Sequence, residues 1–381
     1  MFLCIGAEIG RERGLPLSEK ADRETVKEAL SLAKAHDVAH LAAHKMLTGG
    51  LIDGSDAELT KEATELYMSA VFRYGRRKYE ADRAFGALSS AGMDYMPLKG
   101  AVIETLYPEP WMRTSCDIDI LIKPENLGGA DAALGAAGFV KIKDKGSHEI
   151  TYKTDSGVFL ELHFTLIEEG RFERAVKKLE EAWDTAARDE TDPHRLIMRE
   201  DLFFLYHLTH AAKHVENGGC GIRPIIDLDV IERSFGVCAE NRKDLLVSCG
   251  LYDFCVASEK LMAHWLDGKP ADGDTEMFEE YLLGAGTYGI SRNGIAISQI
   301  KNGGRLGHLF KKAFLPYCRM KARYPVLVKA PVLLPFCWVI RCFYLVFGRG
   351  RKNAINEIKT GHTVDRAERS EAARLISYLG L

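Results

Sequence analysis

The spacing of hydrophobic and polar residues changes period several times along the chain. From Thr25 to Met46, Ala29, Leu30, Leu32, Ala33, Val38, Leu41 and Ala42 recur at helical spacing and predict one helix. The loop Thr48 to Gly54 ends it, and Ser55 or Asp56 can cap a second helix that runs to Ala91. That helix carries Arg73, Arg76, Arg77, Lys78, Glu80, Asp82 and Arg83, so one of its faces is expected in solvent. Tyr95 to Leu98 is a short extended run, followed by Lys99-Gly100 and a helical stretch, Ala101 to Leu106, that Tyr107-Pro108 stops. Asp117 to Ile122 alternates polar and apolar and then turns fully apolar, which predicts a strand with one end at an exposed site. A small helix from Leu127 to Ala137, closed by Gly138, comes next. Strands are predicted at Phe139 to Lys143, Glu149 to Thr154 and Val158 to Phe164, the last two joined by the hairpin signal Asp155-Ser156-Gly157.

After Gly170 the pattern is helical to the end of the chain, beginning with Phe172 to Ala187, Arg199 to Val215 and Ile225 to Ser234. Helices on both sides of a short run of strands predict an α+β fold in three regions: N-terminal helices over 1–91, an α/β core over 92–170 and a helical domain over 171–381. The length of 381 residues and a hydrophobic fraction of 46% supply ample core and argue against a disordered chain.

Charge changes the picture little. A formal net charge of −3 gives no global field for nucleic acid, although Arg73 to Lys78 forms a local basic run. The nine cysteines form no C-x-x-C pair and read as reduced thiols of a cytoplasmic protein. Met1 to Gly14 lacks the layout of a secretory signal, because Glu8, Arg11, Glu12 and Arg13 interrupt it. The stretch 325–352 is strongly apolar with a basic surround. Its longest uncharged run, Ala330 to Ile340, is about half of what a spanning helix needs, so no transmembrane segment is predicted. A buried helix with solvated flanks is the favoured reading there, and peripheral contact with a membrane surface the sharper one.

The candidate chemistry sits in the core. Asp117 and Asp119 are two apart on a strand and share a face. Alone, they read as readily as two solvated acids at a strand end. Glu161 lies in the apolar run Val158 to Phe164, where an acid needs a partner, and His163 shares its face. If the two strands are neighbours, Asp117, Asp119 and Glu161 converge on an oxygen site suited to Mg²⁺ or Mn²⁺. Lys99-Gly100 opens a helix, where backbone N–H groups attract phosphate, and Arg113 lies between that turn and the acidic strand. His207, His210 and His214 fall on one helix face, a zinc-like spacing that more often lines a cleft; His36, His40 and His44 form a second row, read as structural.

Leu98-Lys99-Gly100, Arg113, Asp117-Ile118-Asp119-Ile120 and Glu161-Leu162-His163 together resemble the polymerase-β-type nucleotidyltransferase superfamily, and more narrowly its uncharacterised bacterial nucleotidyltransferase family. The resemblance extends weakly through His207 to His214, Arg223 to Leu228 and Gly286 to Gly289. It implies a small mixed-sheet core with helical flanks, and transfer of an NMP from an NTP, ATP among them, to an unidentified acceptor. It implies that Gly100 is the turn glycine, that Asp117 and Asp119 hold the metals and that Glu161 is the third carboxylate. Lys99, Gly100, Arg113, Lys213 and Asp227 would meet nucleotide, with His163, His210, His214 and Arg223 as accessories. The turn here is Lys-Gly where the superfamily has Gly-Ser, so it brings no serine hydroxyl. That departure leaves open a nucleotide-binding regulatory module with weak turnover, and the apolar and basic C-terminal stretch leaves open a membrane-surface accessory protein of polysaccharide or envelope assembly.

Overall fold

Asp117–Ile122 becomes a strand because its β-branched residues fall on alternate positions, with Ile118, Ile120 and Ile122 turned to one side. The computed structural model describes the chain apart from residues 12–21, 144–147, 169–170, 288 and 349–350. Glu12, Arg13, the boundary at Gly170, Tyr288 and Arg349 therefore lie outside the described residues. Five strands form a mixed sheet: β1 (Tyr95–Pro97), β2 (Asp117–Ile122), β3 (Val140–Lys143), β4 (Glu149–Lys153) and β5 (Phe159–His163), in the order β1-β2-β5-β4-β3. β2 and β5 run parallel, and the other neighbours in the sheet are antiparallel.

Helices precede, interrupt and follow the sheet: α1 (Phe2–Glu8), α2 (Arg23–Ala35), α3 (Ala39–Thr48), α4 (Ala57–Ser90), α5 (Gly100–Ile103), α6 (Leu127–Ala136), α7 (Glu173–Leu179), α8 (Glu200–Glu216) and α9 (Arg223–Phe235), then further helices from Lys243–Cys249 to Arg366–Leu379. One face of the sheet buries Ile118, Ile120, Leu160 and Leu162 against Ala81, Ala84 and Leu88 of α4 and Ala130 and Leu134 of α6. Each such aliphatic side chain contributes about 1.5–3 kcal/mol when withdrawn from water. α4 thus supplies a layer of the core through its second half, although it begins among the N-terminal helices. On the opposite side, Met96, Leu98 and Leu121 join the large core built by α8, α9 and the helices that follow. The chain is an α+β protein with helical flanks, and α8 lies across the sheet face that carries the acids.

Several expectations need correction. The single helix over Thr25 to Met46 is two, α2 and α3, because Asp37 adopts φ 54° and its carboxylate accepts from Arg223. α4 exposes Arg76, Lys78 and Asp82 on the expected solvated face, but Arg77 and Glu80 are buried, because Arg77 pairs with Glu104 and Glu80 with Arg83. The helix over Phe172 to Ala187 ends near Ala182, and Ala187–Arg188 pairs with Leu196–Ile197 as a small antiparallel ribbon beside Tyr95. The apolar C-terminal stretch is not buried: Phe336, Phe343 and Phe347 stand in solvent.

Candidate active site

The register of β2 and β5 pairs Asp119 with Glu161 and Leu121 with His163, and the two-residue period puts Asp117 on the same face. Asp119 is 2% exposed. Its Oδ1 accepts from Lys99 Nζ at 2.7 Å and lies 2.8 Å from His163 Nε2, while His163 Nε2 is 3.5 Å from a Glu161 oxygen. Asp119, Glu161 and His163 each offer a ligand atom within 4.8 Å of the others. Asp117 joins them electrostatically, and its Oδ1 accepts from Ser115 Oγ at 2.7 Å.

These contacts set the charges. Burial alone would raise Asp119, but Lys99 and His163 outweigh it and hold the carboxyl well below its ordinary range. Burial would depress His163, yet its bonds to Asp119 and Glu161 lift it above the ordinary value. Lys99 is likewise raised, against the pull of burial, by the charge of Asp119. Asp117 is raised, first by burial and then by Asp119. The two aspartates are thus pushed apart: Asp119 stays ionised, and Asp117 holds a proton more readily than an ordinary carboxyl.

Lys99 itself is strained, with φ 41° and ψ −114°, a region that side chains rarely occupy. From this backbone its ammonium reaches Asp119. Space at Gly100 is tight: a Cβ there would lie 3.1 Å from Arg113 Nη1 and 3.2 Å from Ser115 Oγ, so those side chains would have to give way. Ser115 Oγ stands beside the Lys-Gly turn and donates to Asp117. Nothing in the local pattern singled out that serine, because only the return of the chain brings it to Gly100.

α8 closes the site from above. Tyr206, His210 and His214 share one face of that helix; Tyr206 is buried against the charges of Lys99, Asp119 and Glu161, and among the described residues its hydroxyl has no hydrogen-bond partner. The i, i+4 spacing from His210 could have revealed it. His210 and His214 bring their Nε2 atoms to 3.3 Å and both are depressed chiefly by burial, His214 to about 4. His207 turns away and bonds the Pro224 carbonyl at 2.8 Å, so the three histidines do not converge. Lys213 feels Glu168, Lys99 and Glu149 and is lowered, chiefly by burial. His148 extends the acidic floor, 3.0 Å from Glu149 and 3.5 Å from Glu168, and its ring centroid is 5.9 Å from that of His163.

Arg113 and Asp227, both expected to meet nucleotide, form a buried ion pair with each other, Nη2 to Oδ2 at 3.0 Å, and Tyr107 donates to the same carboxylate. Arg223 bonds Asp37 at 2.8 Å and the Thr114 carbonyl at 3.2 Å. These groups fasten the segment before β2 to α9 and to the α2–α3 break. In the other row, His40 bonds the Met112 carbonyl at 2.7 Å and His44 lies 2.5 Å from Glu8, which ties α3 into the same framework.

A family model described as uncharacterised nucleotidyltransferase matches residues 22–267, a span that contains every residue of this site. No curated protein and no solved structure matches the chain.

Proposed function

The chain belongs to that nucleotidyltransferase family, and from this premise we propose that it transfers a nucleoside monophosphate from an NTP to an acceptor hydroxyl or phosphate, releasing pyrophosphate. The observation that carries the reading is the register of Asp119 with Glu161 on neighbouring parallel strands, with Asp117 on the same face. Asp119, Glu161 and His163 offer ligand atoms close together, and Asp117 adds a third carboxylate on the same sheet face, a donor set that fits a hard divalent ion, Mg²⁺ or Mn²⁺. Asp117, Asp119 and Glu161 would hold it, and when bound it supplies charge neutralisation along the triphosphate.

The remaining roles belong to the chain's own groups. An acceptor oxygen attacks the α-phosphorus, the bond to the bridging oxygen of the β-phosphate breaks, and Glu161 takes the acceptor proton. Lys99 and Lys213 bring positive charge to the phosphates from the sheet side and the α8 side. His163 orients Asp119, and Ser115 orients Asp117. Gly100 keeps the turn open, while Arg113, Asp227 and Arg223 position the loop before β2. His210 and His214 line the cleft. A hydroxyl beside the turn, that of Ser115, supports this reading over an inert module. Nine free thiols support a cytoplasmic setting.

Equilibrium dialysis with ATP, GTP, CTP and UTP tests the reading, with and without Mg²⁺, alongside release of labelled pyrophosphate. The wild type should bind at least one nucleotide in a Mg²⁺-dependent way, and Asp117→Asn/Asp119→Asn should abolish both signals. Equal binding and equal release by the two proteins would overturn it.

A further inference from the structure

The sequence contains no Asp or Glu between 281 and 356, yet it contains thirteen Lys and Arg there, although acids exceed bases, 54 to 51, over the whole chain. This segment lies outside the residues that match the family, 22–267. Its helices are amphipathic in the reverse sense. On Leu334–Phe347, Phe336, Ile340, Phe343 and Phe347 recur at i, i+4, i+7 and i+11, and all are exposed, Phe347 at 74%. The inward side is fastened by polar bonds: Trp338 Nε1 donates to the Leu315 carbonyl at 2.8 Å, and Arg341 Nη2 to that of Lys312 at 3.2 Å. On the neighbouring helix Arg305–Ala313, Leu306 and Phe310 are 82% and 64% exposed.

Cations stand around these side chains. Lys311, Arg323, Lys329 and Arg351 are exposed, and none forms an ion pair among the described residues. Arg323 lies over the Tyr344 ring at 5.4 Å, which joins the aromatic and basic parts of the patch. Among the described residues no helix is long and apolar enough to cross a membrane. A face of protruding aromatic and aliphatic groups with a basic surround suits a surface that is apolar beneath and anionic at its rim.

We propose that this C-terminal face docks on an anionic phospholipid bilayer, with the Leu334–Phe347 helix lying in the interface and Lys311, Arg323, Lys329 and Arg351 of the neighbouring segments at the headgroups. A two-fold contact with a second copy would set like charges against each other. A nucleic acid would leave Phe336, Phe343 and Phe347 without an apolar partner. The inference does not rest on nucleotidyl transfer, because the face shares no residue with the carboxylate site.

Flotation of the full chain tests it, with vesicles of phosphatidylcholine alone and of phosphatidylcholine mixed equally with phosphatidylserine, at low and high salt. Co-flotation is expected with the mixed vesicles at low salt and should fall at least about tenfold at high salt. Lys311→Glu/Lys329→Glu and Phe336→Asp/Phe343→Asp should each cause a loss of similar size, while circular dichroism and nucleotide binding stay unchanged because these side chains are exposed. Absence of co-flotation with the mixed vesicles at low salt would overturn the proposal. So would flotation of both variants undiminished from the wild type, or a sedimenting dimer that Phe336→Asp/Phe343→Asp dissociates without any change in flotation.

Discussion

Asp119 on β2 and Glu161 on β5 are register partners across a parallel pair, so their carboxylates rise from one face of the sheet a single strand spacing apart. Their surroundings differ. Asp119 is buried between Lys99 and His163, whereas the Glu161 side chain is 27% exposed. Asn in place of Asp119 leaves a buried ammonium without its counter-charge, at a cost of about 3 kcal/mol. Gln in place of Glu161 leaves no charge stranded and should cost under about 1 kcal/mol. Both variants should lose Mg²⁺-dependent nucleotide binding, but only Asp119→Asn should also lower the urea midpoint. A matched fall in stability for both would contradict this division of labour.

Lys99 separates strain from charge. At φ 41° and ψ −114° a side chain costs about 1–3 kcal/mol relative to glycine. Lys99→Gly relieves the backbone and removes the ammonium, while Lys99→Ala removes the ammonium and keeps the strain. The glycine variant should therefore be the more stable of the two by about 1 kcal/mol or more, measured by denaturant unfolding. Both should lose nucleotide binding to the same degree. A difference in binding would mean that the backbone conformation itself contacts nucleotide.

The Arg113–Asp227 pair is argued to position the loop before β2. Asp227→Asn strands a buried guanidinium and should destabilise the fold by about 3–5 kcal/mol. Replacing both partners together, Arg113→Met with Asp227→Leu, removes the stranded charge and should recover much of that loss. Calorimetric unfolding of the two single variants and the double variant completes the cycle. Additive losses would show that the pair is not one unit.

Much of this architecture was written in local pattern. The alternation in Asp117–Ile122 and the glycine after the small helix marked β2 and α6 nearly to the residue, because strand period and C-terminal glycine are local properties. The shared face of Asp117, Asp119 and Glu161 was legible for the same reason. What escaped the sequence was tertiary. Asp37 breaks a helix whose periodicity is unbroken, since its carboxylate is held by Arg223, 186 residues away. Ser115 reaches Gly100 only through a chain reversal, and Arg77 looked solvated because Glu104, its buried partner, lies on another element. The C-terminal stretch misled in the opposite direction: its apolar residues satisfied a core pattern but face outward.

The last prediction concerns acid. His40 is 3% exposed, and burial pushes its imidazole down to about 4 from an ordinary 6.5, while Nε2 donates to the Met112 carbonyl. Asp37, which raises it, and Arg73 and Arg223, which lower it, act less strongly than burial. Between those two pH values the unfolded chain binds a proton that the folded chain refuses. Stability is therefore fully present above pH 6.5 and declines as the pH falls towards 4, by up to about 3 kcal/mol from this residue. His214, also depressed to about 4, adds a decline of the same sign. His40→Gln keeps a donor for the carbonyl but cannot titrate, so the variant should show a shallower loss across that window in urea unfolding, and the difference between the two curves isolates His40. Parallel curves would mean that the ring is charged at little cost in the folded protein and that its burial is not as tight as the Met112 contact implies.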